Sequence, residues 1–515
     1  MFMPFQNEPL SDFSHPEQAA AYRRALAGVR RRLGRYRPLV IGGREVDTED
    51  RVVSLNPARP AEVVGTVAAA GPSQVDQAFD AAWRAFPGWA HLPATERAAA
   101  AVALAEALRR RRLELAVWET LEASKNWREA DADVAEAIDF CEYYARQALE
   151  LARPVPTNPW PGEINHSWLQ PLGAGAVISP WNFPLAILVG LAMGPVAAGN
   201  TVILKPSSLT PMMGALFMEA LQAAGIPDGV INFVPGTGSG MGDYLVEHPR
   251  CRFVNFTGSK EVGLRIGARA AAIQPGQQWL KRAFLEMGGK DAVVVDETAD
   301  LEAAAGAVVA SAFGFQGQKC SAASRLIVIE EIYENFLERL VAATKALEVG
   351  PAEENFPVAA VISAEQHQKI MAEIERGKAE AKLVVGGQAL DLDGGYYIQP
   401  TIFTEVPPDS RLGQYEIFGP VLSVIRARDF DEAVRLFNGT EYGLTGGLFS
   451  RRREHINRAR CEFDVGNLYI NRGITGARVG VQPFGGFKMS GTNAKAGGPD
   501  YLRLFLEMKT VAEKI

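Results

Sequence analysis

A chain of 515 residues is too long for one hydrophobic core, so two or three domains are expected. With 47% hydrophobic and 22% charged residues and a net charge of −7, it is built as an ordinary globular protein and not as a dedicated nucleic-acid or anionic-membrane binder. Cys141, Cys251, Cys320 and Cys461 show no CxxC pair and the six histidines are scattered, so neither a disulfide framework nor a metal centre is expected, and a reducing, cytoplasmic setting is.

The opening MFMPFQNEPLSDF has no basic stretch followed by an apolar run, so no signal peptide is expected. Arginine runs at 30–32 and 109–112 read as solvated helix faces, because acids lie close by. The amphipathic FCEYYARQAL places Cys141 as a packed, structural thiol. RPVPTNPWPGEINHSWLQPLG, 153–173, is Pro-rich and extended and predicts a projecting hairpin. FPLAILVGLAMGPVAAGNTVIL, 183–204, is apolar enough to suggest a membrane span, but Pro195 and Gly199-Asn200 break it into a buried helix, a turn and a buried strand. From there strands and helices alternate: TVILKP, a helix stopped at Gly225, GVINFVPG, CRFVNFTGS and a helix from Lys260. Such alternation implies a doubly wound parallel sheet. A second α/β series, 286–470, runs through AVVVD, a helix from Leu301, SRLIVIE, a helix in EIYENFLERLVAATKAL, then PVLSVIRA, GLTGGLFS and VGNLYINR as strands. The strand-like C-terminus, YLRLFLEMKTVAEKI, needs an edge to pair with, and a neighbouring subunit would supply one.

Three features carry chemistry. Cys320, in GFQGQKCSAASR, has small and polar neighbours that leave room for a substrate, which suits a nucleophile better than a packed thiol. Glu286 sits among Phe284, Leu285 and Met287, where desolvation would raise its proton affinity towards that of a general base near neutral pH; it could equally just end a strand. Asn182, between Pro180 and Pro184, is a stiffly held amide suited to an oxyanion, or an ordinary turn residue. For phosphate, GTGSGMG around Gly238 misses the GxGxxG spacing in every frame. GSKEVG, Gly258 to Gly263, follows a strand and opens a helix, as an anion-binding turn would. Lys205 ends a strand at the ligand-binding edge of a parallel sheet, or is a surface lysine that lays its stem along the fold.

Together SPWNFP, KPSS, FTGS-xxx-G, LEMGGK, GQKC, EIFGPV and PFGGFKMSG resemble the aldehyde dehydrogenase superfamily in order and spacing, over residues 40 to 510. The resemblance implies the aldehyde dehydrogenase fold: a doubly wound cofactor domain (1–152 and 174–285), a second α/β catalytic domain (286–470), and a small β oligomerisation flap (153–173 and 490–515). It implies Cys320 as nucleophile, Glu286 as base, and Asn182 with the Cys320 N–H as oxyanion hole. NAD would be held by Ile178, Pro180, Trp181, Lys205, Ser207, Ser208, Gly238, Gly258, Ser259, Gly263, Glu416 and Phe418. Many NAD-preferring relatives carry an acid where Ser208 stands, so some tolerance of NADP is expected. Ser321 and the loop RGITGARVGVQPFGG resemble the glutamate-semialdehyde branch. There Ser321, Gly476 and Ala477 would bind the α-carboxylate, Phe183 and Phe484 would sandwich the stem, and Glu136 would face the ammonium. A small-molecule aldehyde substrate, a homo-oligomer built on dimers and an association with a proline dehydrogenase follow as expectations. Three alternatives stay open: a succinic semialdehyde enzyme using Arg478, an acylating enzyme using coenzyme A, and a non-catalytic chain that kept the fold.

Overall fold

Short apolar runs, buried on both faces, assemble two mostly parallel sheets in the computed structural model, which describes residues 3–515. The first sheet has the order Arg282–Glu286, Phe253–Thr257, Ala174–Ile178, Thr201–Lys205, Ile231–Phe233, Leu39–Ile41, Arg44–Val46. Its first five strands are parallel, and an antiparallel hairpin of the last two closes the edge. Side chains alternate across it. Ala174, Ala176 and Ile178 pack with the helices Pro72–His91 and Lys260–Ala271, whereas Val177 faces the core made by Ala94–Arg110, Trp127–Leu151 and Ala186–Ala197.

The second sheet has the order Lys382–Val385, Thr401–Thr404, Val421–Ala427, Arg325–Ile329, Ala292–Val295, Thr445–Phe449, Asn467–Ile470. All pairs are parallel except the first, an antiparallel edge with an irregular register. Glu163–Pro171 pairs with the C-terminal strand Leu506–Lys514 along its whole length. The 153–173 segment folds back on itself at the bridge between Val155 and Ser167 and where Thr157 Oγ1 donates to the Asn165 carbonyl at 3.0 Å. Its main partner is the chain's own C-terminus.

The apolar 183–204 stretch is a helix, Ala186–Ala197, followed by the strand Thr201–Lys205. Among the described residues no helix is long and apolar enough to cross a membrane. Helix Pro211–Ala223 stops just before Gly225, whose φ of +74° ends it. The arginine runs are solvated faces only in part: Arg30, Arg31 and Arg110 are exposed, but the other arginines of the two runs are not. Arg112 is only 14% exposed and bonds both oxygens of buried Asp131, at 2.7 and 2.6 Å, and Arg32 reaches Glu114. These guanidinium groups tie helices to one another, and the acids near them in sequence did not reveal that.

Candidate active site

The carboxyl ends of the parallel strands bring the candidate residues together. Ile178 lies opposite Lys205 in register and opposite Phe256 on its other side, so Ile178, Lys205 and Gly258 line one edge. From Ala174–Ile178 the chain proceeds one way through Thr201–Lys205 to Ile231–Phe233, while Phe253–Thr257 lies on the other side. That reversal opens a crevice at the switch point, where doubly wound sheets bind ligands. Lys205 is buried, and among the described residues its Nζ has a single long hydrogen bond, 3.4 Å to the Pro206 carbonyl. Burial lowers its pKa to about 8. Such an under-partnered ammonium suits a hydroxyl-rich ligand.

Ser207 and Ser208 follow on the half-buried turn after Lys205, and Ser207 Oγ accepts from the Leu209 N–H at 3.2 Å. Ser259 caps helix Lys260–Ala271. A Cβ on Gly263 would stand 2.4 Å from the Met287 sulfur, so glycine here lets that helix lie close against the sheet. Gly238 is exposed, and a Cβ there would meet nothing within 4 Å. Trp181, just after Pro180, meets Phe418 edge to face with centroids 5.5 Å apart. Glu416 accepts from the Gly289 N–H at 2.9 Å, and burial lifts its carboxyl to about 7.

Cys320 follows helix Leu301–Phe313 and a turn in which Phe315, Gln316 and Gly317 are all left-handed, with φ of 48°, 56° and 66°. Two of these are not glycine, so the turn is strained and needs outside support. Buried glutamines supply it. Gln316 Nε2 donates to the Ser124 and Ala360 carbonyls at 3.2 and 2.8 Å, and Gln318 Oε1 accepts from the Ile362 N–H at 3.0 Å. The Gln318 carbonyl in turn accepts from Asn182 Nδ2 at 3.0 Å, which aims the amide and leaves its second N–H for a ligand.

Burial, with Glu286, Asp291 and Glu416 nearby, pushes the Cys320 thiol well above its ordinary range. Glu286 ends the strand Arg282–Glu286, where it bridges Gly491. Its Oε1 is sealed from solvent and has no hydrogen-bond partner among the described residues. Burial raises this carboxyl to about 8, against the opposing pull of the Gly486 backbone and Lys495.

Cys320 and Glu286 line one cavity of about 1050 Å³, together with Glu136, Phe183, Ser321, Gly476, Ala477 and Phe484. Glu136 makes no hydrogen bond or ion pair among the described residues, and burial lifts it to about 8. Gly476 has a φ of +73°, and Arg472 braces its turn by donating to the carbonyls of Gly473 and Thr475. Sequence reasoning missed Lys125. This fully buried ammonium is paired to Asp133 and sits 4.3 Å from the Phe183 ring centroid and 5.1 Å from that of Phe315. Nothing in SKN, where it stands, signals that placement.

Cys141 is packed, as its amphipathic surroundings suggested. Cys141 and Cys251 are buried, Cys461 is exposed, and Cys320 lies at the cavity wall. Asp296, Glu297 and His455 converge, but Arg452 already pairs with Glu297 at 2.5 Å and His455 with Asp296 at 2.8 Å.

This arrangement can form and hydrolyse a bond between Cys320 and a carbonyl carbon. The family model described as the aldehyde dehydrogenase family matches residues 45–511. The chain is 53% identical to a 1-pyrroline-5-carboxylate dehydrogenase of Geobacillus kaustophilus, over 100% of both chains. It superposes on a 1-pyrroline-5-carboxylate dehydrogenase from Thermus with bound NAD at a TM-score of 0.99 and 58% identity, again covering 100% of each. Proline utilization A from Bdellovibrio bacteriovorus matches the whole chain with 54% of its own length, at 45% identity and a TM-score of 0.97. With its cysteine, carboxyl group and crevice in one place, the chain belongs to the aldehyde dehydrogenase family.

Proposed function

We propose that this chain oxidises L-glutamate γ-semialdehyde, the open form of 1-pyrroline-5-carboxylate, to L-glutamate with NAD, a step of proline degradation. One observation carries the reading. The cavity that holds Cys320 and Glu286 also holds an unpaired carboxyl group, Glu136, a left-handed glycine turn and two aromatic walls. A zwitterion needs that set: N–H donors for its carboxylate, an acid for its ammonium and apolar sides for its methylenes.

The chemistry belongs to the sulfur. Cys320 loses its proton to water in the cavity, Sγ bonds to the aldehyde carbon as the carbonyl π bond opens, and the new oxyanion accepts hydrogen bonds from Asn182 Nδ2 and the Cys320 N–H. The chemistry that bound NAD would supply here is a hydride acceptor for this carbon. A thioester then remains on Cys320. Glu286 takes a proton from a water whose oxygen attacks the thioester carbon, and the C–S bond breaks to release the acid.

Ile178, Pro180, Trp181, Lys205, Ser207, Gly258 and Ser259 would hold the cofactor, with Glu416 and Phe418 at its nicotinamide half. Support comes from the shared sheet edge and the under-partnered Lys205 ammonium. Ser208 in place of an acid favours tolerance of NADP; a preference for NAD of several thousandfold in kcat/KM would defeat that point. Residues 1–152 with 174–285 carry the cofactor half, and 286–470 the nucleophile. The flap of 153–173 and 490–515 leaves Ile164, Trp168, Met508 and Val511 exposed, which supports a homo-oligomer built on dimers. The working place is the cytoplasm. The longer proline utilization A chain supports an association with a proline dehydrogenase.

The test is NADH formation from 1-pyrroline-5-carboxylate, succinic semialdehyde and propanal. Highest kcat/KM with the first is expected; a preference for succinic semialdehyde would favour Arg478, which lines the same cavity, as the carboxylate receptor.

A further inference from the structure

The N-terminal arm is laid along helix Trp127–Leu151, the helix that carries Glu136. Ser11 donates to both oxygens of Asp131, from its N–H at 2.8 Å and its Oγ at 2.9 Å. Asp139 receives the Glu8 N–H at 2.7 Å and Asn7 Nδ2 at 2.8 Å. Asp131 and Asp139 are two helical turns apart, about 12 Å of rise. The four steps from Asn7 to Ser11 span about 13 Å when extended, so the arm matches its track.

Asn7 does more than anchor the arm. The same Nδ2 donates to the Val479 carbonyl at 2.9 Å, two residues beyond Ala477. It therefore joins Asp139, one turn from Glu136, to the glycine turn that faces it. Phe5 supports the same junction: its ring meets Tyr143 at 5.2 Å and lies where a Cβ on Gly480 would be only 3.0 Å away. Asn7 and Glu8 both line the substrate cavity.

We propose that this arm is part of the substrate site and that Asn7 is a positioning residue, fixing the separation between Glu136 and the Gly476–Ala477 turn. The inference rests on the functional reading above. In glutamate semialdehyde the carboxylate and the ammonium share one carbon, so their two receptors must stand at a set distance. An aldehyde lacking both groups does not feel that distance.

The test compares the full-length wild type with Asn7→Ala and Asn7→Asp, measuring kcat and KM for glutamate semialdehyde and for propanal, and the melting temperature of each protein. Asn7→Asp keeps the shape and removes both donors. The expected result is a KM for glutamate semialdehyde raised roughly five- to tenfold in both variants, as for the loss of a hydrogen bond or two. kcat, the propanal constants and melting would stay within about twofold and a few degrees. Equal losses with both aldehydes, or an unchanged KM in a wild type that prefers glutamate semialdehyde, would overturn the inference alone. A wild type with no such preference would overturn the functional reading, and this inference with it.

Discussion

Replacing Glu286 by Gln separates two properties that its surroundings couple. Its carboxyl is raised from 4.5 to about 8, chiefly by burial. A carboxyl whose folded pKa exceeds its unfolded one destabilises the fold once the unfolded chain ionises. The cost is absent below 4.5, grows with pH through the interval, and levels off above about 8. At pH 7 those two values correspond to up to about 3 kcal/mol. For 515 residues at roughly 2.1 cal/mol/K each, the unfolding entropy is about 1.1 kcal/mol/K, so the gain is about 3 °C in melting temperature. Gln leaves an unpaired oxygen in the same place, so that contribution largely cancels. The variant should therefore melt about 3 °C higher than wild type at pH 7 and less than about 1 °C higher at pH 5. It should also turn over at least about a hundredfold more slowly, because nothing activates the hydrolytic water. Melting curves across pH and steady-state NADH formation check both. A pH-independent difference, or turnover within threefold of wild type, would refute the argument.

Glu136→Ala should raise the KM for glutamate semialdehyde roughly tenfold or more while propanal kinetics hold, since a charge-assisted hydrogen bond to the ammonium is lost. Lys205→Ala should weaken NAD binding about tenfold by titration, with Cys320 still reactive towards a thiol reagent. Gln316→Ala removes the donor that braces two left-handed residues beside the nucleophile. It should lower kcat with every aldehyde by roughly tenfold or more, because the oxyanion geometry depends on that turn.

What the sequence discloses follows from how locally each feature is determined. Central parallel strands such as TVILK and AVVVD are buried on both faces and read as unbroken apolar runs. Cys320, Glu286 and Asn182 sit in short motifs whose neighbours already suggest their chemistry. The short strands Leu39–Ile41, Arg44–Val46 and Lys382–Val385 are not legible in the sequence. The first two form a local hairpin of three residues a side, too short to show an alternation, and Lys382–Val385 is a partly buried edge with an irregular register. Asn7 meets Val479 across 472 residues, and Lys125 meets Phe183 and Phe315 only once two sheets are in place. No local periodicity encodes such contacts. The two glutamines of GFQGQKC stood in view, but their work depends on Ser124, Ala360 and Ile362, which belong to other segments.

The central claim is a covalent acyl group on one sulfur, and trapping it is the most direct test. Glu286→Gln would be mixed with 1-pyrroline-5-carboxylate and NAD, quenched in acid and digested for mass spectrometry. A γ-glutamyl group on the peptide containing Cys320, formed along with a burst of NADH and absent from Cys320→Ser, is the predicted result. NADH released in repeated turnovers with Cys320 unmodified, or from Cys320→Ser at the wild-type rate, would contradict it.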